Sequence, residues 1–165
     1  MPFAYYDRLS ARRQRIYRQS DGIKRIELPD AASLQPLARA IEPALASERR
    51  DAVEKTCQAF VDALNLQLKT PRVNVRVLAR RPNNDAYELQ GLYEPDELTG
   101  GVARITVWMR TAQREQVVKF RTFLRTLLHE ACHHLDYELF KLAETFHTEG
   151  FYARESALVR DLLGP

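Results

Sequence analysis

The sequence predicts an α+β domain with a short mixed or antiparallel sheet, a helix that carries the motif His-Glu-x-x-His, and a C-terminal helix. Two observations favour this class: apolar residues recur at helical spacing in the longer segments, and they alternate with polar residues in the shorter ones. The order helix, strands, motif-bearing helix and closing helix is that of a small α+β domain. At 165 residues, the chain suits one compact domain, which we place at residues 31–165 after a basic N-terminal arm at residues 1–30.

The first half of the chain predicts helices after the arm. A short helix is expected at Leu34 to Ala46, interrupted by two prolines. A longer helix is expected from Ser47 to Leu68, because apolar residues recur there at helical spacing and Ser47 is a suitable N-cap. Pro71 ends this helix.

The second half predicts three strands and then two helices. Valine alternates with polar residues from Val73 to Val77, which indicates a strand, and further strands are expected at Ala86 to Tyr93 and Ala103 to Met109. The segment from Val117 to Phe140 lacks glycine and proline and predicts a long helix. Thr148 is a suitable cap for a final helix from Glu149 to Leu163.

All four histidines lie between His129 and His147, and two of them frame the motif His129-Glu130-Ala131-Cys132-His133. Positions i and i+4 share one face of a helix, so His129 and His133 can both point at one zinc ion. Glu130 is placed to take a proton from a water that zinc activates. The opposite face is apolar and predicts packing against a core; it consists of Phe120, Leu124, Leu127, Leu128, Ala131 and Leu135.

A hydrolytic zinc site usually has three protein ligands, so a third ligand is expected beyond the helix. His147 is the preferred candidate, and Glu155 and Glu149 are the alternatives. His134 lies about 100° around the helix from His133, which favours a hydrogen-bonding or surface role over metal binding.

Three further features each leave two interpretations open. Asp136 either orients an imidazole or is a solvated helix carboxylate. Tyr152 either donates to a developing oxyanion or belongs to the core. The strand at Ile105 to Met109 either binds an extended substrate at the edge of the sheet or lies inside it.

The motif at His129–His133, followed by His147 with Gly150 and Phe151, resembles the SprT-like zinc metallopeptidases, the group that includes the Spartan proteases. Gly91-Leu92-Tyr93 and the strand at Ile105-Thr106-Val107 extend the resemblance upstream, so that it covers roughly residues 70 to 160. It implies a small zincin-like domain that hydrolyses a protein or peptide substrate. It also implies a Zn²⁺ cofactor held by His129, His133 and His147, with Glu130 as general base.

Charge and composition suggest what else the chain contacts. The net charge is +3, yet residues 1–25 carry seven basic residues against two acidic ones. A basic arm of this kind, with tyrosines interleaved, is suited to hold a nucleic-acid backbone, and the alternative, which composition favours, is a solvated arm that improves solubility. The alternative to a peptidase is therefore a non-catalytic zincin-fold adaptor that binds nucleic acid or protein. Because the chain has no long apolar run, no secretory signal pattern and only two cysteines, we expect no membrane partner and a cytoplasmic location.

Overall fold

A computed structural model describes residues 2–80, 91–110 and 116–164. It shows an α+β fold with a small mixed sheet of three strands in that part of the chain. A short 3₁₀ helix (Ala4–Arg8) precedes the helices α1 (Ala11–Gly22), α2 (Ala31–Arg39), α3 (Ile41–Ala46), α4 (Arg50–Leu68), α5 (Asp96–Thr99), α6 (Phe120–Glu138) and α7 (Glu149–Leu163). The strands are β1 (Val73–Leu78), β2 (Leu92–Glu94) and β3 (Ala103–Trp108).

The sheet has β3 at its centre, parallel to β1 and antiparallel to β2. Two interpretations were open for the strand at Ile105 to Met109, and the edge-strand one is wrong, because neighbours pair with β3 on both sides. In the described part of the chain, β2 is the edge strand beside α6. The predicted strand at Ala86 to Tyr93 lies mostly outside the described residues.

One apolar core joins the sheet to the long helices. The valines of β1 are buried while Asn74 and Arg76 between them are exposed, which confirms the predicted alternation. These valines pack in one cluster with apolar residues of α2, α4, α6 and α7. The predicted apolar face of α6 is confirmed except at Phe120, which is only half-buried.

Several helix boundaries differ from the expected ones. The helix predicted at Leu34 to Ala46 is two helices, α2 from Ala31 and α3 from Ile41. Ser47 does not cap α4: its hydroxyl donates to Ala44 O at 2.6 Å, Glu48 then takes a positive φ of 59°, and Arg49 is the N-cap. The motif-bearing helix begins at Phe120 and not near Val117, because the chain before it forms a bridge between Arg110 and Val117.

The predicted arm contains a helix that sequence patterns did not indicate. Ser10 caps α1 by accepting a hydrogen bond from Arg13 N at 3.3 Å, and Tyr17 is fully buried. At the start of α7, a Cβ on Gly150 would lie 2.5 Å from Asp21 O, so glycine permits the close approach of α1.

The division of the chain into an arm and a domain at residue 30 stays a prediction. Every helix among the described residues is too short or too polar to make a membrane span.

Candidate metal centre

The two motif histidines are presented by α6, and the third histidine arrives from the segment that connects α6 to α7. Apolar packing holds one face of α6 against the core, so His129 and His133, one turn apart, face away from it. His147 immediately precedes Thr148, the N-cap of α7, whose hydroxyl accepts a hydrogen bond from Phe151 N at 2.8 Å. The predicted cap and the predicted bounds of this last helix are confirmed.

The three imidazoles converge through their Nε2 atoms. His147 Nε2 lies 3.1 Å from His129 Nε2 and 3.0 Å from His133 Nε2. Tetrahedral zinc with Zn–N bonds of about 2.0–2.1 Å would place its nitrogen ligands about 3.3 Å apart. The donor set and its spacing therefore fit one zinc ion. Within the described ranges, this is the cluster whose ligand atoms could hold a metal.

Glu155 supports His129 from behind. Its Oε1 accepts a hydrogen bond from His129 Nδ1 at 2.6 Å, and its Oε2 accepts one from Arg125 at 2.9 Å. This hydrogen bond favours the tautomer of His129 that carries its proton on Nδ1. The free lone pair is then on Nε2, where a metal would bind. Glu155 is thus a hydrogen-bond partner of His129, while Glu149, the other alternative ligand, is exposed.

A hydrogen-bond chain supports His133 in the same way. His133 Nδ1 donates to Thr145 Oγ1 at 2.8 Å, and the Thr145 hydroxyl donates to Asp136 Oδ2 at 2.7 Å. Asp136 is fully buried, so the interpretation of it as a solvated carboxylate is wrong. Asp136 is linked to His133 through the hydroxyl of Thr145, which bonds to both side chains.

The hydrogen-bond chain behind His133 extends to Arg154, which is fully buried and donates to Asp136 Oδ1 at 2.9 Å. Arg154 also donates to the backbone carbonyls of Ser20 and Ile23, each at 2.6 Å. Burial raises the pKa of Asp136, and the Arg154 charge and the Thr145 hydroxyl oppose that rise. The guanidinium therefore links α1, α6 and α7 behind the histidines.

The N-terminal segment also holds the connection that carries His147. The Tyr5 hydroxyl donates to His147 O at 2.7 Å, and Arg13 forms an ion pair with Glu144 at 3.0 Å. The predicted arm therefore contacts the third histidine directly.

Burial changes the proton affinity of the site. It lowers the pKa of His133 to about 2, with smaller contributions from His129, His147 and Arg154, and it lowers the pKa of His147 as well. Neutral imidazoles are the form that binds metal.

Glu130 lies beside the histidines and is 5% exposed. Burial raises its pKa to about 7; His129 opposes the rise and Glu155 adds to it. A Cβ on Gly91 would lie 3.0 Å from Glu130 Cγ and 3.1 Å from Thr126 Cγ2. Glycine at position 91 therefore leaves the space that the Glu130 side chain occupies.

A cleft of about 680 Å³ opens over the histidines. Its lining includes residues of α6 from Thr122 to Tyr137, residues of the chain around β2, and Tyr152. Tyr152 is 40% exposed, and its ring centroid lies 5.8 Å from that of His147. The interpretation of Tyr152 as a core residue is therefore wrong.

His134 and Cys132 have structural roles. His134 is 2% exposed; its Nδ1 accepts from the Tyr93 hydroxyl at 3.0 Å and its Nε2 donates to Pro71 O at 2.8 Å. Cys132 is fully buried, and burial raises the pKa of its thiol.

Sequence patterns did not indicate Thr145, Arg154 or Tyr5 as parts of the site. None of them belongs to a recognisable motif, and each acts through a contact with a residue distant in sequence or in an irregular segment. Glu155 was considered as a ligand and not as a hydrogen-bond partner.

No protein-family model, curated protein or solved structure matches the chain.

Proposed function

We propose that the chain is a zinc-dependent metallopeptidase of the zincin type, as its resemblance to the SprT-like enzymes implies. The observation that carries the proposal is the convergence of three Nε2 atoms, two of which belong to imidazoles whose Nδ1 atoms are held by Glu155 and Thr145. Such support gives the ligands their orientation and tautomer, which a chance cluster of surface histidines does not need.

Zinc held by His129, His133 and His147 would supply a Lewis acid that activates water and polarises the carbonyl of a peptide bond. Three protein ligands leave one position open, as in hydrolytic sites. Glu130 then takes a proton from the attacking water and passes it to the leaving amine. Tyr152, at the surface of the cleft beside His147, donates to the oxygen on which negative charge develops.

A protein or peptide substrate would bind extended along α6, beside β2. Leu92 and Tyr93 of this strand line the cleft, as do Gly91 and Pro95 next to it, whereas β3 is enclosed between its neighbours. Among the described strands, the edge beside the cleft that a peptide could extend is therefore that of β2 and not that of β3.

The second candidate is the adaptor that binds nucleic acid. A shallow groove on α1 is lined by three basic side chains, a feature that suits a phosphate backbone; they are Arg12, Arg15 and Arg18. An adaptor need not retain a general base, however, so the position of Glu130 favours the peptidase.

The test is hydrolysis of an unfolded protein by the zinc-loaded chain and by its Glu130→Gln variant. The substitution is nearly isosteric and keeps all three histidines, so zinc content and melting temperature should not change. Turnover should fall by about 10²-fold or more, because proton transfer contributes at least this much. A metal-loaded Glu130→Gln sample with unchanged turnover would contradict the mechanism. A wild type that is inactive on a broad substrate panel would favour the adaptor.

A further inference from the structure

The two ends of the cleft differ in chemistry, and the histidines lie between them. Towards the start of α6 the lining residues are Thr122, Arg125 and Thr126. Towards its end they are Tyr137 and, stacked beside it, Tyr93, with Pro95 two residues further along the chain. A substrate that lies along α6 therefore meets a polar end and an aromatic end.

The aromatic end is a rigid surface. The rings of Tyr93 and Tyr137 stack with centroids 6.3 Å apart and an interplanar angle of 25°. The Tyr93 hydroxyl is bound to His134 Nδ1 at 3.0 Å, and the backbone of Thr145 hydrogen-bonds Tyr137. Since both phenol groups already have partners, the rings present mainly apolar surface to a ligand.

Distances along α6 give the position of this aromatic surface relative to the histidines, where the bond would be cleaved. From Thr122 to Tyr137, α6 rises by about 22 Å, which corresponds to an extended peptide of about six or seven residues. Tyr137 follows His133 by one helical turn, a rise of about 6 Å. An extended chain covers that distance with about two residues.

We propose that the aromatic end of the cleft selects a large apolar side chain lying within two residues of the bond that is cleaved in an extended peptide. This inference rests on the proposed function, because it locates the cleaved bond at the three histidines. It names the substrate class: an unfolded segment with an aromatic or large aliphatic residue beside the scissile bond. We expect no selection of an apolar side chain at the polar end of the cleft.

The test uses a fluorogenic peptide rich in alanine and serine, through which a single Phe, Leu or Asn is moved position by position. Cleavage by the zinc-loaded chain is mapped by mass spectrometry. The Phe and Leu peptides should be cut within two residues of that side chain, with kcat/KM at least about tenfold above the Asn peptides. Tyr137→Ala should reduce this ratio severalfold. Tyr137→Phe, which keeps the ring, and Thr122→Ala, at the opposite end of the cleft, should keep it.

Binding of the same peptides to zinc-loaded Glu130→Gln protein, followed by fluorescence anisotropy, separates this inference from the proposed function. Cleavage without preference, or a preference that survives Tyr137→Ala, would overturn the inference and leave the peptidase standing. Selective binding of Phe peptides that Tyr137→Ala abolishes, without cleavage by the wild type, would overturn the peptidase and with it the position relative to a cleaved bond, and would leave only the apolar selection by the aromatic end. Peptides that are neither cleaved nor bound would overturn both.

Discussion

Replacing Glu155 by Gln tests whether this carboxylate orients His129. In the structure Glu155 accepts from two donors, His129 Nδ1 at 2.6 Å and Arg125 at 2.9 Å, and it is 5% exposed. Glutamine has one acceptor oxygen and one NH₂ group, so one of the two donors would face another donor. His129 is the more buried of the two donors, with a side chain 21% exposed against 45% for Arg125. Leaving a buried donor such as His129 unpaired costs about 1–3 kcal/mol, which is roughly 5- to 150-fold in affinity. We therefore expect zinc to bind Glu155→Gln more weakly by one to two orders of magnitude.

The affinity is measured by competition with a fluorescent zinc chelator, on protein purified without an affinity tag. Glu149→Gln, which removes the same charge from the exposed first turn of the same helix, is the matched comparison and should bind zinc as the wild type does. Melting of the metal-free proteins shows whether either substitution damages the fold. Wild-type zinc affinity in Glu155→Gln would refute the orienting role, and a loss confined to Glu149→Gln would refute the ligand set.

Three further predictions concern two other residues of the cleft and the basic groove on α1. Gly91→Ala should displace the Glu130 side chain by a few tenths of an ångström and lower kcat about tenfold while zinc affinity is kept; full activity would show that Glu130 tolerates the added Cβ. Tyr152→Phe should lower kcat by about 10²-fold with little change in KM; an unchanged kcat would exclude the hydroxyl from transition-state stabilisation. Replacing Arg12, Arg15 and Arg18 by Ala should weaken binding to single-stranded DNA and flatten its salt dependence by about 0.7 per lost contact. No binding by the wild type at about 50 mM salt, where phosphate contacts are strongest, would contradict this last prediction.

Local patterns predicted the parts of the fold that local interactions determine. The valine alternation of β1 was readable because one face of that strand is buried. The bounds of α7 were readable because Thr148 caps the helix through its own side chain. The motif spacing in α6 predicted that His129 and His133 share a face. Each of these needs only a short stretch of sequence.

Features that depend on distant contacts were not predictable in this way. Helix α1 was not predicted, because its many basic residues resemble those of a solvated arm. The burial of Tyr17 and the approach of Asp21 to Gly150 depend on α7, at the other end of the chain. The central place of β3 depends on strand order, which alternation does not report. The support of His133 by Thr145 joins a helix to an irregular segment, and no periodic pattern marks such a segment.

The zinc content of wild-type and His147→Ala protein, measured by mass spectrometry on tag-free samples after dialysis, tests the central claim most directly. The wild type should retain about one zinc per chain, because the Nε2 atoms of three imidazoles converge on one position. His147→Ala should lose it, since two histidines from one helix leave half of a tetrahedral site without protein ligands. A wild type that binds no zinc, or a His147→Ala variant that retains it as tightly as the wild type, would contradict the account.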